Sequence, residues 1–121
     1  MVLVLGAPGA ALFPDTTLTT HGCTPLWVAA REGKVEVVRV LAEAGADLNQ
    51  SDTREGCTPL YIAADRGEME VVRALAEAGA DLNQAETTAG CTPLYMAACQ
   101  GKVDMVRALA EAGADLNKAK I

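Results

Sequence analysis

The sequence contains few aromatic residues, one histidine and little positive charge. Aromatic residues make up 3% of the 121 positions, and His21 is the single histidine. The 10 Lys and Arg residues are outnumbered by 16 Asp and Glu residues, so the formal net charge is −6. Phosphates and anionic lipids attract basic surfaces, and single-stranded bases stack on aromatic side chains. We therefore expect neither nucleic acid nor a membrane as a partner.

Long hydrophobic runs are also missing, although 50% of the residues are hydrophobic. No run approaches the ~20 apolar residues that a membrane-spanning helix needs. Residues 1–13 have the length of a signal-peptide apolar region, but no positive charge precedes them and no clear cleavage site follows. We expect one compact domain that is cytoplasmic or nucleocytoplasmic, with secretion as the less favoured alternative.

The four cysteines do not follow a metal-binding or disulfide pattern. Cys23, Cys57 and Cys91 recur every 34 residues, and Cys99 follows eight residues after the last of them. Equivalent positions on packed helices lie ~8–10 Å apart, beyond the ~7 Å Cα separation that a disulfide spans. We therefore predict thiols in a reducing compartment. With one histidine and no phosphate-loop motif, the sequence predicts no metal site, no cofactor and no catalytic residue, and hence no enzyme.

The sequence does contain an internal repeat. Three near-identical copies follow one another, and they start 34 residues apart. Each copy begins with GCTPL and contains AEAGADLN near its end. The copies occupy residues 22–55, 56–89 and 90–121. A period of this length is typical of a stacked repeat protein, in which each unit buries its apolar face against its neighbours.

Each copy has the signals of two short helices. Thr24 is a suitable N-cap for a helix that begins at Pro25, and Gly33 is a suitable left-handed residue to end it. A second helix is predicted from about Val35 to Ala44, because its apolar residues recur at helical spacing, and Gly45 would end it. The polar residues that follow suit a projecting turn.

The T-P-L-x-x-A-A-x-x-G start and the G-A-D-L-N end of each copy closely resemble ankyrin repeats, over residues 22–117. The resemblance implies an all-α repeat fold: an ankyrin-type stack of helix-turn-helix units with short β-hairpin or turn fingers and a concave groove. It also implies a non-catalytic scaffold that binds another protein, of unknown identity, through the groove and the finger tips.

Three features depart from the family pattern. The repeat period is 34 residues, one longer than usual. The histidine that usually follows T-P-L is replaced by an aromatic residue in every copy: Trp27, Tyr61 and Tyr95. A leucine usual in the second helix is replaced by Ala42, Ala76 and Ala110. The alanines predict a thinner core and a lower stability.

The resemblance also nominates binding positions. In the family, contacts concentrate on the finger tips, on the residue after the repeat glycine and on the exposed side of the first helix. On the fingers these positions are Asp52, Arg54, Glu55, Glu86, Thr87 and Thr88, and after the glycines they are Cys23, Cys57 and Cys91. On the first helices they are Trp27, Arg31, Glu32, Tyr61, Asp65, Arg66, Tyr95, Cys99 and Gln100. The aromatic residues either anchor a partner or pack between fingers and helices. Replacing Asp65 and Arg66 is predicted to weaken partner capture and to leave thermal stability unchanged.

The two ends of the repeat array differ. Residues 1–21 are interpreted as a degenerate half-repeat that caps the array, because Val2–Leu12 matches Val38–Leu48 at six of eleven positions. A disordered leader or a mistaken gene start is the alternative. At the other end, Val106, Leu109 and Ala110 keep the inner apolar pattern, which predicts an open apolar edge. The alternative function is therefore self-association through that edge as a homodimer.

Overall fold

The computed structural model describes residues 22–118, which form six helices. They are α1 (Pro25–Arg31), α2 (Val35–Glu43), α3 (Pro59–Arg66), α4 (Met69–Glu77), α5 (Pro93–Cys99) and α6 (Val103–Ala112). Each repeat contributes one consecutive pair of them. No strand is present among residues 22–118, so the fingers there are turns and the predicted β-hairpin strands are not found. The interpretation of residues 1–21 as a half-repeat lies outside the described residues.

The first helix of each repeat begins as the sequence predicts. The hydroxyl of Thr24 accepts a hydrogen bond from the backbone N–H of Trp27 at 3.1 Å, and the equivalent threonines do the same. A proline occupies the first helical position, where a missing N–H costs no hydrogen bond. Gly33, at φ +73°, turns the chain after the first helix of repeat 1. The threonine caps and the glycine stops are confirmed.

The second helices are also close to their predicted bounds. Helix α2 ends at Glu43, with Ala44 as its C-cap and Gly45 at φ +93° directly after it. The prediction had placed Ala44 inside the helix, a difference of one residue at an end where helices fray.

The six helices form two layers. Helices α1, α3 and α5 pack side by side in one layer, and α2, α4 and α6 pack side by side in the other. Each first helix also packs against the second helix of its own repeat. The core lies between the layers and includes the fully buried side chains of Leu26, Leu60, Val72 and Leu75. Among residues 22–118, no helix has the length and apolar character needed to cross a membrane.

One predicted edge residue is placed differently from the prediction. Leu109 is fully buried, because it lies on the side of α6 that faces repeat 2 and its own partner helix. Val106 is partly buried and Ala110 is exposed, and their role in an edge contact stays a prediction. The most exposed apolar side chains at this end are Val103, 64% exposed, and Leu116, 66% exposed.

Candidate functional site

The first finger, residues 52–57, is held together by a buried carboxylate. Asp52 is 6% exposed, and its backbone N–H donates to the carbonyl of Cys57 at 3.0 Å. Its carboxylate accepts hydrogen bonds from four backbone N–H groups, at 2.7 to 3.3 Å, belonging to residues 54–57. The carboxylate of Asp52, a position predicted to contact a partner, is turned into the finger, and contact of Asp52 with a partner stays a prediction.

Glu86 has the same role in the second finger, residues 86–91. Its carboxylate accepts hydrogen bonds from the backbone N–H groups of Thr88, Ala89 and Cys91 and from the Thr88 hydroxyl. Burial by itself would raise the pKa of Glu86, but these hydrogen bonds outweigh it and lower the pKa from 4.5 to about 2. This carboxylate is therefore ionised at neutral pH and engaged inside the finger.

The two fingers contact each other through Thr87. Its backbone N–H and its hydroxyl both donate to the carbonyl of Glu55, at 2.8 and 3.0 Å. The approach is so close that a Cβ atom on Gly56, at φ +72°, would lie 2.5 Å from the Thr87 hydroxyl oxygen. Gly56 therefore allows the backbone to adopt the left-handed conformation, and it leaves room for one finger to pack on the next.

The aromatic position that replaces the usual histidine has different surroundings in each repeat. Trp27 is 7% exposed, and its indole N–H donates to the carbonyl of Cys57 at 2.9 Å. The guanidinium of Arg31 lies 5.7 Å from the centre of its ring. Tyr61 is partly buried, whereas Tyr95 is exposed. The packing interpretation thus describes Trp27, and an exposed ring is available at Tyr95.

A cleft of about 280 Å³ lies between the second finger and the first helices of repeats 2 and 3. It is lined by Glu55, Cys57, Tyr61, Ile62, Asp65, Glu86, Thr88, Ala89, Cys91, Met96 and Gln100. Eight of these eleven belong to the positions nominated from the sequence. The cleft brings these eight nominated positions together.

The cleft is electronegative. Three of its lining residues are acidic, and none is Lys or Arg. Burial and then the nearby carboxylates, Asp52 first, raise the pKa of Cys57 to about 12. Burial and the neighbouring Glu86 likewise raise the pKa of Tyr61. Both groups are neutral near pH 7, so the carboxylates determine the charge of the cleft.

Comparison with protein families matches the helical pattern to a known repeat. A family model of ankyrin repeats in three copies matches residues 49–120, and the model of a single ankyrin repeat matches residues 21–53. The chain belongs to the ankyrin repeat family. Ankyrin repeats generally mediate protein–protein interactions and act as non-catalytic scaffolds. No curated protein matches this chain.

Several nominated positions of this ankyrin repeat protein lie away from the cleft. Arg31 and Glu32 form an ion pair with each other at 2.6 Å, one repeat before it. Arg54, Arg66 and Cys99 are exposed and do not line it. Partner binding at any of these positions stays a prediction.

Three residues that line the ankyrin cleft were not nominated from the sequence: Ile62, Ala89 and Met96. A signal for two of them was present. The position after the aromatic residue is Val28, Ile62 and Met96 in copies that are otherwise nearly identical. An apolar residue in a helix is by itself typical of core as well as of a binding surface. The structure places the side chains of Ile62 and Met96 partly against the core and partly in the cleft.

A second, shallow cleft lies on the other layer, and its lining includes Ala76, one of the three alanines that replace a usual leucine. It measures about 320 Å³ and is lined by Arg73, Ala76, Glu77, Ala108, Glu111 and Ala112. Of the four cysteines, Cys57 is buried and Cys99 is exposed, and their interpretation as thiols stays a prediction. Within residues 22–118 there is no group of three or more His, Cys, Asp or Glu side chains placed to hold a metal ion.

Proposed function

We propose that this ankyrin repeat protein captures a segment of another protein in the cleft between its second finger and helices α3 and α5. A Lys or Arg side chain of the partner occupies the cleft. The observation that carries the proposal is a side-chain-sized cleft with three carboxylates and no cation in its lining. Its volume of about 280 Å³ lies just below the ~300–1,000 Å³ range of small-molecule sites, which favours one side chain over a whole metabolite.

The lining of the cleft suits both parts of a Lys or Arg side chain, the apolar stem and the charged end. Ile62 and Met96 offer apolar contact to the methylene stem, which Lys and Arg commonly bury. Asp65 and Glu55 are then the acceptors for the charged end. Asp65 accepts one side-chain hydrogen bond, from Gln100 Nε2 at 3.3 Å, and so keeps acceptor capacity. Glu86 acts through its charge alone, because its oxygens are engaged within the finger.

The test begins with a display library of short random peptides selected on the immobilised full chain. Selected peptides are expected to be enriched in Lys and Arg relative to the starting library. The strongest binder is then synthesised, and its dissociation constant is measured by fluorescence polarisation. Asp65→Asn is expected to weaken its binding about tenfold or more, since a charge-assisted hydrogen bond is lost.

The matched control is Glu70→Gln, which removes the same charge from an exposed position on α4, in the other helix layer. It is expected to leave peptide binding unchanged, and neither variant is expected to shift the melting temperature. Peptides without basic residues, or equal binding by Asp65→Asn and wild type, would contradict the proposal. The sequence prediction had treated Asp65 and Arg66 together. Because Arg66 is exposed and lies outside the cleft, its replacement alone is expected to leave peptide binding intact.

A second function, self-association, is supported by the exposed apolar side chains of Val103 and Leu116 at the end of the described stack. Large exposed apolar patches are uncommon on monomeric proteins and are typical of interfaces. Light scattering of the full chain over a wide concentration range tests this. A mass that rises with concentration supports self-association, and a monomer mass throughout contradicts it.

A further inference from the structure

Burial at equivalent positions reveals which way each position faces along the stack. Val37 in repeat 1 is 48% exposed, whereas its equivalent in repeat 2, Val71, is fully buried. The opposite holds for Ala98 in repeat 3, which is exposed although Ala30 and Ala64 are fully buried. The repeat position occupied by Val37 and Val71 therefore contacts the preceding repeat. The repeat position occupied by Ala64 and Ala98 contacts the following repeat.

Two apolar edges follow from this comparison. The first edge consists of Val37, Val40 and Leu41 on α2, each more exposed than its equivalents on α4 and α6. The last edge consists of Leu94 and Ala98 on α5, Val103 and Val106 on α6, and Leu116. Between these edges, α4 packs on α2 and α6 packs on α4 through the equivalent positions. The two edges are thus the two complementary halves of an interface that the chain already forms twice.

Hydrogen bonds between repeats follow the same direction. Asp81 N–H donates to Asn49 Oδ1, and Asp115 N–H donates to Asn83 Oδ1, both at 2.8 Å. Asn117 lies one period after Asn83, and Asp47 lies one period before Asp81. A second copy placed as the next repeat of the stack would bring its Asp47 N–H to Asn117 Oδ1 of the first.

We propose that two copies of this chain associate head to tail, with the first edge of one copy packed on the last edge of the other. The proposal deepens the self-association put forward above and rests on it. A second copy is the favoured occupant because its first edge has the positions, the apolar character and the hydrogen-bonding groups that repeats 2 and 3 present to their predecessors. The competing occupant of the first edge is the segment 1–21 of the same chain.

The geometry of this contact determines the size of the assemblies that form. Two different surfaces meet, so each added copy leaves one edge of each kind open, and assembly continues unless the array closes into a ring. A contact of one last edge with another would instead give a symmetric dimer and stop. Because each copy carries a net charge of −6, association is expected to strengthen as added salt screens the repulsion.

The first measurement is sedimentation velocity of the full chain over a wide concentration range at two salt concentrations. Species larger than a dimer that grow with protein concentration support head-to-tail association. If no species larger than a dimer forms, self-association is supported but the head-to-tail arrangement is overturned. A monomer at every concentration overturns both self-association and the head-to-tail arrangement.

Two edge variants then test which surfaces meet. Val37→Glu/Val40→Glu changes the first edge, and Val103→Glu/Leu116→Glu changes the last edge. All four side chains are largely exposed, so both variants are expected to fold, as circular dichroism will check. Each variant alone is expected to associate about tenfold or more weakly, because charges are placed in an apolar contact. Ala78→Glu, at an exposed turn of the middle repeat, is the control that adds charge away from both edges.

Mixing the two edge variants distinguishes the arrangements. In the head-to-tail arrangement, each variant keeps the edge that the other has lost, so an equal mixture forms a one-to-one complex and grows no further. In a symmetric dimer through the last edge, the first-edge variant still dimerises alone and the mixture forms no new complex. The second result would overturn the proposal while leaving self-association in place.

Discussion

Repeat 2 and its neighbours have nearly the same sequence but different surroundings. In repeat 2, Val71, Val72 and Leu75 are all fully or almost fully buried, because α4 lies between α2 and α6. In repeat 1, the equivalents of the first and last of these are exposed or partly buried. Burial in a stacked repeat is therefore a property of the pair of neighbours, and the stability of each unit depends largely on its interfaces.

The largest expected difference between the inner and outer repeats is at a leucine. Leu75→Ala is expected to lower the free energy of unfolding by about 3 kcal/mol, because it leaves a cavity in a fully buried site. Leu41→Ala removes the same atoms from a partly buried site, and its expected cost is about half of that. Urea titration of both variants measures the difference. Equal losses would mean that Leu41 is covered as well as Leu75 is.

The aromatic position gives the next largest contrast. Trp27→Phe is expected to lower the free energy of unfolding by about 1–2 kcal/mol, since the indole hydrogen bond and part of the buried ring are lost while Asp52 N–H still donates to the carbonyl of Cys57. Tyr95→Phe changes an exposed side chain of repeat 3, and its expected effect is below about 0.5 kcal/mol. Thermal and urea unfolding check both values. A large effect of Tyr95→Phe would show that the outer ring is packed after all.

The second finger is expected to make the free energy of unfolding depend on pH in the acidic range. In the folded chain the pKa of Glu86 is lowered from 4.5 to about 2, so between these pH values the unfolded chain binds more protons. The contribution of Glu86 is therefore complete above about pH 5 and is lost as the pH falls toward 2. Glu86→Gln is expected to lower the free energy of unfolding at pH 7 by about 1–2 kcal/mol and to reduce its fall at acidic pH.

Urea titrations of the wild type and the Glu86→Gln variant at pH 7 and pH 3 measure this effect. The free energies of unfolding of the variant and the wild type should differ less at pH 3 than at pH 7. An unchanged difference at the two pH values would refute the role assigned to the carboxylate.

The smallest expected effect is a gain in stability. Ala76→Leu places an apolar side chain in the shallow cleft of about 320 Å³ between the second helices of repeats 2 and 3. It is expected to raise the free energy of unfolding by about 0.5–1 kcal/mol. Ala110→Leu is the matched change at an exposed site with no described repeat beyond it, and no gain is expected there. Differential scanning calorimetry of the two variants compares them, and a loss on Ala76→Leu would mean that the cleft is too narrow.

Much of the fold could be predicted from the sequence, because its signals are local. The threonine caps bond three residues ahead, and Gly33 and Gly45 adopt the left-handed backbone predicted for them. The candidate site was predicted less well. Asp52 and Glu86 were nominated as partner contacts because the resemblance to ankyrin repeats places contacts at the finger tips. The inward direction of their carboxylates depends on how each finger folds back on itself.

Within residues 22–118, the sequence by itself determined the three helix pairs, the approximate bounds of their helices and the turns that end them, since these follow from hydrogen bonds and backbone preferences within a few residues. Only the tertiary structure decided which copy of each repeated residue is buried, where the cleft lies and how Trp27 is used. The indole of Trp27 bonds a carbonyl 30 residues away, in the next finger. Such contacts depend on the distance between stacked units, and near-identical repeats contain no local signal that distinguishes an inner copy from an outer one.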